Sequence, residues 1–393
     1  MNKKLKYYIF LFFLCFINPL NAQVEQLASG FEQPEGPVWM DGAGLLFSDI
    51  RANIIYLWSP FDSSVTEFMN PSDSSNGLTF DLDGNLILTQ MLKRRVSRRE
   101  SDGTITPLAE TFEGKRFNSP NDLVVKSDSS IFFTDPDFNL PLGQTKELNF
   151  QGVFRIGKNG NVQALDSTTF DKPNGICFSP DESKLYVNES PQGIIYVWDV
   201  VDDSTITNRS VFFTIPSIGY SDGMKVDPDG NLYCTGPGGV WVISPDGICI
   251  DTIHVPVNPS NCNWGDEDRK TLYITGGSSI YRYRLPSGIE ERKCIPDEPF
   301  ELNQNYPNPF SPSTEIKYTV PSLEKSISVS LKVYDLLGRE VITLIEGVKA
   351  PGKHSVEWDG TNSRGEKVES GVYLYRLKSN NGYVDTKKMT LLK

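Results

Sequence analysis

The chain has 393 residues, and at roughly 100–200 residues per domain this length allows two or three domains that each bury a core. Its 38 basic and 50 acidic side chains give a formal net charge of −12. A nucleic-acid partner is therefore not expected, because such a partner needs a concentrated positive surface. The scarcity of histidine, with only His254 and His354, argues against chemistry that depends on a histidine base.

The first 22 residues are predicted to be a secretory signal peptide. Three lysines lie within residues 3–6, an apolar run covers residues 7–17, and Leu20-Asn21-Ala22 predicts cleavage before Gln23. The apolar run is well short of the ~20 residues that a membrane-spanning helix needs. We therefore expect a mature chain without a transmembrane segment, secreted or displayed on the cell surface after passage through the periplasm.

Export leads to a compartment in which disulfides can form. The mature part has cysteines at positions 177, 234, 249, 262 and 294, an odd number without the CxxC spacing of metal sites. Most of them lie in strand-like runs, and we expect these to be buried as small hydrophobic residues.

Six similar segments follow one another between residues 23 and 293. Each has a short apolar strand, a turn such as Asp227-Pro228-Asp229-Gly230, and a second apolar strand such as Leu232-Tyr233-Cys234. A period of about 40–50 residues with two hairpins per unit is typical of propeller blades. The sequence therefore predicts an all-β, six-bladed propeller, with residues 24–31 supplying the strand that closes the last blade. The six segments begin at Glu35, Asn76, Asn121, Asn174, Asp222 and Asn261.

These six starting positions all carry a carboxylate or an amide. The innermost strand of each propeller blade begins at one face of the central channel, so the six side chains should converge on the axis. A turn preference explains an Asn or Asp before Gly in single blades. It does not explain why all six positions carry a side-chain oxygen, and it does not explain Glu35, because Glu is not a favoured turn residue. A ring of oxygen ligands that includes two carboxylates suits a hard divalent cation. Calcium is the first candidate, with magnesium, manganese and zinc as alternatives.

Residues from about 31 to 285 resemble the gluconolactonase, regucalcin and senescence-marker-protein family of six-bladed propeller hydrolases. Residues 34–39, 118–122, 133–136, 173–175 and 221–224 carry the resemblance. It implies that a single divalent cation is held by four members of the ring, Glu35, Asn121, Asn174 and Asp222.

The same resemblance implies that Asn76 and Asn261 line the cavity and contact the substrate. Animal members of the family carry a substrate-binding Arg where Ser119 stands here, so the exact substrate does not carry over. Arg116 lies nearby in the sequence and is a candidate substitute.

The implied reaction is the hydrolysis of lactones, in particular sugar-acid lactones such as gluconolactone. A divalent cation can stabilise the developing oxyanion and lower the pKa of water. A carboxylate beside it can accept the proton, and Asp222 is the first candidate for this base, with Asp135 second. A Ser-His-Asp mechanism is not expected, because His254 stands alone and His354 lies in the C-terminal part.

A different function remains open at this point. Propellers host many activities, so the fold alone does not distinguish an enzyme from a binding module. The alternative is a non-enzymatic extracellular propeller that binds a glycan or a protein partner and keeps calcium as a structural ion.

The C-terminal part differs from the repeats. Residues 294–299 break the strand pattern and are predicted to be a linker, and alternating runs such as 328–334 predict a small Ig-like β-sandwich over residues 300–393. Residues 302–310, 334–341 and 371–373 resemble the C-terminal sorting domain of the type IX secretion system of Bacteroidetes-like, Gram-negative bacteria. The resemblance implies passage across the outer membrane through that machinery.

Overall fold

A computed structural model describes residues 24–167, 170–216, 219–285, 300–320, 327–349, 352–380 and 382–392. The chain divides into two units, Met1–Lys293 and Cys294–Lys393. The predicted signal peptide (residues 1–22) and linker (residues 294–299) lie outside the described residues. Within the described ranges, no helix has the length and apolar character needed to cross a membrane.

The described residues of the first unit form short β-strands and one 3₁₀ turn, Ser190–Gln192. In chain order its strands are Glu25–Ser29 (β1), Pro34–Met40 (β2), Gly44–Asp49 (β3), Ile54–Trp58 (β4), Val65–Met69 (β5), Ser75–Phe80 (β6), Leu86–Gln90 (β7), Arg95–Arg99 (β8), Ile105–Ala109 (β9), Thr111–Phe112 (β10), Lys115–Arg116 (β11), Leu123–Val125 (β12), Ile131–Asp135 (β13), Gly152–Ile156 (β14), Val162–Asp166 (β15), Pro173–Phe178 (β16), Lys184–Glu189 (β17), Ile194–Asp202 (β18), Thr205–Thr214 (β19), Met224–Val226 (β20), Leu232–Gly236 (β21), Gly239–Ile243 (β22), Cys249–Ile253 (β23), Pro259–Gly265 (β24), Thr271–Gly276 (β25) and Ser279–Arg284 (β26).

These strands form the six predicted blades, each a four-stranded antiparallel sheet. The first five blades are β2–β5, β6–β9, β12–β15, β16–β19 and β20–β23, while β10 and β11 form a separate hairpin. The sixth blade has the order β1-β26-β25-β24, so the first strand of the unit pairs with the last. The expected closure by residues 24–31 is thus confirmed, and it leaves the ring of blades without an open end.

The hydrophobic core lies between neighbouring blades, because alternate side chains of a strand point to opposite faces. Phe132 and Phe133 on β13 illustrate this arrangement. Phe132 packs on Phe178 of the fourth blade, with ring centroids 4.9 Å apart. Phe133 belongs to a buried cluster with Ile87 and Val96 of the second blade. Each blade is therefore held from both sides, and its innermost strand is fixed relative to the axis.

The free cysteines among the described residues are Cys177, Cys234 and Cys262, and all three are buried, as expected. Burial raises the pKa of each thiol, so the thiols stay protonated and are poor nucleophiles and metal ligands. Cys249 is disulfide-bonded.

Where the second unit is described, it has two antiparallel sheets that enclose one core. One sheet supplies Ile316 and Trp358 to this core, and the other supplies Leu331 and Tyr375. The predicted small β-sandwich is therefore present. Its sheets are Glu301–Leu302 (β27), Thr314–Val320 (β28) and Gly352–Trp358 (β31), and Ile327–Tyr334 (β29), Glu340–Lys349 (β30), Gly371–Ser379 (β32) and Val384–Leu391 (β33).

Candidate functional site

The six predicted ring residues occupy equivalent places, at or just before the start of an innermost strand. Four lie inside strands β2, β6, β16 and β24, and two precede β12 and β20 by two residues. All are buried except Asp222, which is partly exposed. In the order of the blades, these residues are Glu35, Asn76, Asn121, Asn174, Asp222 and Asn261.

Glycines follow several ring residues because neighbouring innermost strands approach closely. A Cβ atom added to Gly77 would stand 2.7 Å from the carbonyl oxygen of Asn121, and one added to Gly175 would stand 2.4 Å from that of Asp222. Neither glycine has a positive φ. The Asn-Gly pairs therefore serve close strand packing, and left-handed turn chemistry does not account for them.

Four of the ring side chains are neighbours in space. The Asn261 amide Nδ2 donates to Glu35 Oε2 over 3.1 Å. Glu35 in turn repels the carboxylate of Asp222, and the Asn174 side chain forms a hydrogen bond with Asp222. Residues from the first, fourth, fifth and sixth blades thus converge, as the repeat predicts.

The two carboxylates of the ring carry an electrostatic cost. Burial raises the pKa of Glu35 above its ordinary value, and the charge of Asp122 adds to this effect. Burial also raises the pKa of Asp222, helped by repulsion from Glu35 and Asp122, and the hydrogen bond from Asn174 offsets only part of the rise. A positive ion at this place would remove that repulsion and favour both charged forms.

Two amide oxygens of the ring are also unsatisfied. In the described part of the chain, the buried Oδ1 atoms of Asn76 and Asn174 have no hydrogen-bond partner. An unpaired buried acceptor is costly, and such groups often mark an ion or a water. No group of three or more His, Cys, Asp or Glu side chains among the described residues could hold a metal. The ring differs from such groups because four of its six side chains are amides, and this donor set fits a hard cation.

A partly buried ion pair next to the ring was not predicted. Lys225, on β20, places its Nζ 3.9 Å from Oδ2 of Asp122, whose side chain is 3% exposed. Burial works against the charge on Lys225, but Asp122 and other acidic neighbours, Glu35 among them, raise its pKa overall. Lys225 is thus a positive side chain beside the carboxyl groups of Asp122 and Glu35. A lysine in an otherwise apolar strand was the available sequence signal.

Asp135, the second candidate for the base, is fully buried at the end of β13. Its Oδ2 accepts a hydrogen bond of 2.7 Å from the backbone N–H of Asn118. Burial raises its pKa to about 7, against the opposing effect of the Asn118 and Ser119 hydrogen bonds and of Arg94. This carboxylate therefore holds the segment that leads into the third blade.

Two other blades use a carboxylate in the same way, at the last position of their second strand. Asp49 accepts from the backbone N–H groups of Glu32 and Gln33, at 2.8 and 2.9 Å. Glu189 accepts from the N–H groups that precede Pro173, at 3.0 and 2.6 Å. The position of Asp135 is thus a repeated structural feature of the propeller.

The candidate Arg116 lies on the β10–β11 hairpin. Its guanidinium donates to Gln144 Oε1 over 3.2 Å and to the carbonyl oxygen of Lys93 over 3.3 Å, and its backbone N–H donates to Glu147. None of these partners belongs to the ring. The lone His254 is exposed, with Nδ1 3.2 Å from the carbonyl oxygen of Gly238.

Comparisons with known proteins agree with this geometry. Residues 33–278 match the family model described as SMP-30/Gluconolactonase/LRE-like region, and residues 310–382 match the FlgD Ig-like domain. The chain is 33% identical over 294 residues to a gluconolactonase of Zymomonas mobilis, with 67% of this chain and 82% of the relative covered. It is 27% identical over 250 residues to a 6-deoxy-6-sulfogluconolactonase of Pseudomonas putida, with 61% and 82% covered.

Among solved structures, the propeller resembles XC5397 of Xanthomonas campestris, which is described as a gluconolactonase. The TM-score is 0.64 at 32% identity, with 68% of this chain and 91% of that chain covered. The family match covers more than half of the chain and includes all six ring residues. The chain therefore belongs to the SMP-30/gluconolactonase/LRE-like family.

Proposed function

We propose that this protein is an exported lactonase that opens sugar-acid lactones with the help of a divalent cation. The observation that carries the proposal is the ring itself, in which two mutually repelling carboxylates, Glu35 and Asp222, lie near the unpaired amide oxygen of Asn174. Family membership supports lactone hydrolysis, and the names of the relatives support a sugar-acid lactone as the substrate class.

Glu35, Asn121, Asn174 and Asp222 would hold the cation, with calcium as the first candidate. When bound, the cation supplies Lewis acidity, which polarises a lactone carbonyl and lowers the pKa of water. Asn76 and Asn261 would line the cavity. Asn261 also orients Glu35 through its hydrogen bond of 3.1 Å.

Asp222 is our choice for the general base. It is the partly exposed residue of the ring, which places it nearer to solvent than the buried Glu35. Asp135 is a weaker choice, because it is fully buried and its Oδ2 already accepts the backbone N–H of Asn118. A base must reach the proton that it accepts, which favours the partly exposed residue that belongs to the ring.

A panel of sugar and aliphatic lactones, assayed with and without a chelator, tests the proposal. We expect hydrolysis by the purified mature chain, loss of most activity on chelation, and recovery when calcium is returned. Buffer-matched control reactions without the protein are needed, since lactones also hydrolyse spontaneously. Calcium binding without hydrolysis of any lactone would instead favour the non-enzymatic propeller that binds a glycan or protein partner.

We further propose that residues 300–393 are a type IX sorting domain and that the protein reaches the medium or the cell surface. The FlgD Ig-like match over residues 310–382 supports the sandwich, and the sorting role depends on the resemblance of residues 302–310, 334–341 and 371–373. In a bacterium with this machinery, a chain that ends at residue 299 should stay in the periplasm while keeping its lactonase activity. Immunoblots of periplasm and medium would measure this, and normal release of the shortened chain would contradict the assignment.

A further inference from the structure

A second set of buried polar side chains surrounds the ring at a repeated position. Each blade places one such residue second to last in its second strand, and all six are fully buried. We call this set the belt. Its members are Ser48, Thr89, Thr134, Asn188, Thr235 and Thr275.

Four of the belt side chains donate hydrogen bonds to the backbone of ring residues in the next blade. Ser48 Oγ donates to the carbonyl oxygen of Asn76 over 2.8 Å, and Thr89 Oγ1 donates to that of Asn121 over 2.7 Å. In the same way, Thr134 Oγ1 donates to the carbonyl oxygen of Asn174. Asn188 Nδ2 donates to the carbonyl oxygen of Asp222. Four consecutive ring residues are thus held by the blade before them.

The other two members reach residues adjacent to the ring. Thr235 Oγ1 donates to the carbonyl oxygen of Ser260 over 3.0 Å, next to Asn261. Thr275 Oγ1 lies 3.0 Å from Ser260 Oγ, which donates to the carbonyl oxygen of Pro34 over 2.8 Å. Because Pro34 precedes Glu35, these contacts complete the circle of blades.

We propose that the three belt residues that hold proposed ligands, Thr89, Thr134 and Asn188, are positioning residues for the cation site. The inference rests on the proposed function, because it takes Glu35, Asn121, Asn174 and Asp222 as the ligands. Hydrogen bonds between buried groups cannot be replaced by bonds to bulk water, so the belt fixes where each ring backbone stands. Groups that orient metal ligands commonly set the affinity for the metal.

Thr134 makes the most direct link between two proposed ligands. Its hydroxyl accepts a hydrogen bond of 3.2 Å from the backbone N–H of Asp122, the residue after Asn121. The same hydroxyl donates to the carbonyl oxygen of Asn174 over 2.7 Å. One side chain therefore fixes the relative position of ligands from the third and fourth blades.

The belt could also serve stability alone, and Ser48 allows the two roles to be separated. Ser48 is as buried as Thr134 and makes the same kind of contact, but its partner Asn76 is outside the proposed ligand set. Loss of either hydroxyl should destabilise the fold, whereas only loss of the Thr134 hydroxyl should loosen a ligand.

The test compares Thr134→Val, Thr134→Ser and Ser48→Ala in the mature full chain. Calorimetric titration with calcium gives Kd, and thermal unfolding in chelator gives the stability of the metal-free form. We expect Thr134→Val to raise Kd by roughly 10-fold or more. Thr134→Ser should restore the wild-type Kd, and Ser48→Ala should lower the Tm without changing Kd.

An unchanged Kd in Thr134→Val, or equal rises in Thr134→Val and Ser48→Ala, would overturn the positioning role. Thr89→Val, which removes the donor to Asn121, replaces Thr134→Val if that variant does not fold. A wild type that binds no calcium, magnesium, manganese or zinc would overturn the ligand assignment and this inference together. A wild type that binds and hydrolyses lactones, with Thr134→Val unchanged, would overturn the inference alone.

Discussion

Asp222→Asn should lower kcat for lactone opening by about 10²–10⁴-fold at saturating cation, the usual cost of losing a general base. Asparagine keeps an oxygen of similar size at the ring, so the cation should still bind, although more weakly. It cannot accept the proton of an attacking water. The blade should stay folded, because Asn-Gly pairs already stand at the equivalent places, Asn76-Gly77 and Asn174-Gly175.

Asp135→Asn is the matched control for this variant. Asp135 is a buried aspartate at the end of β13, and its Oδ2 accepts a hydrogen bond from the backbone N–H of Asn118. We expect a lower Tm and nearly unchanged turnover at saturating cation. If Asp135→Asn loses turnover while Asp222→Asn keeps it at full cation occupancy, Asp135 is the general base and Asp222 is not.

The repeat made most of the fold predictable from sequence. Each blade has its own hairpin signal, and the strand-like segment at residues 24–31 precedes the first repeat, so it is available to close the last blade. The ring was predictable for the same reason, since equivalent positions in a propeller must converge on the axis.

Contacts between blades were less accessible to sequence reasoning. Thr89 and Thr134 are ordinary strand residues by propensity, and only the pairing of neighbouring blades shows that their hydroxyls reach the carbonyl groups of Asn121 and Asn174. Arg116 shows that closeness in sequence does not ensure closeness in space. It is close to Asn121 in sequence, yet the β10–β11 hairpin directs its guanidinium to Gln144 and Lys93.

The Asn-Gly pairs show why one motif supports two explanations. In a sequence, Asn before Gly is a turn signal, because both residues tolerate left-handed conformations. At Gly77 and Gly175, however, the φ angle is not positive, and the absent Cβ makes room for the backbone of the next ring residue. At these two pairs, glycine is therefore required by the close approach of the neighbouring blade and not by a turn.

The second large effect is expected for cation affinity. Glu35→Gln should raise the Kd for calcium by about 100-fold or more, because it removes one of the two carboxylates of the proposed ligand set while keeping the side chain's size. The amide of glutamine still offers an oxygen, so the loss of calcium affinity measures the effect of the charge more than that of the side chain's shape. Titration calorimetry in chelator-treated buffer measures the change directly, without reference to turnover.

Two further substitutions determine whether charge is the cause. Glu189→Gln removes another buried carboxylate, whose contacts are with the N–H groups of Asp171 and Lys172, and it should leave Kd unchanged. Lys225→Met removes a positive charge near the ring, so it should shift Kd in the opposite direction, towards tighter binding. Weaker binding in both Glu35→Gln and Lys225→Met would mean that ring geometry, and not its net charge, limits the affinity. Opposite shifts would instead establish Lys225 as the internal counter-charge of the cation site.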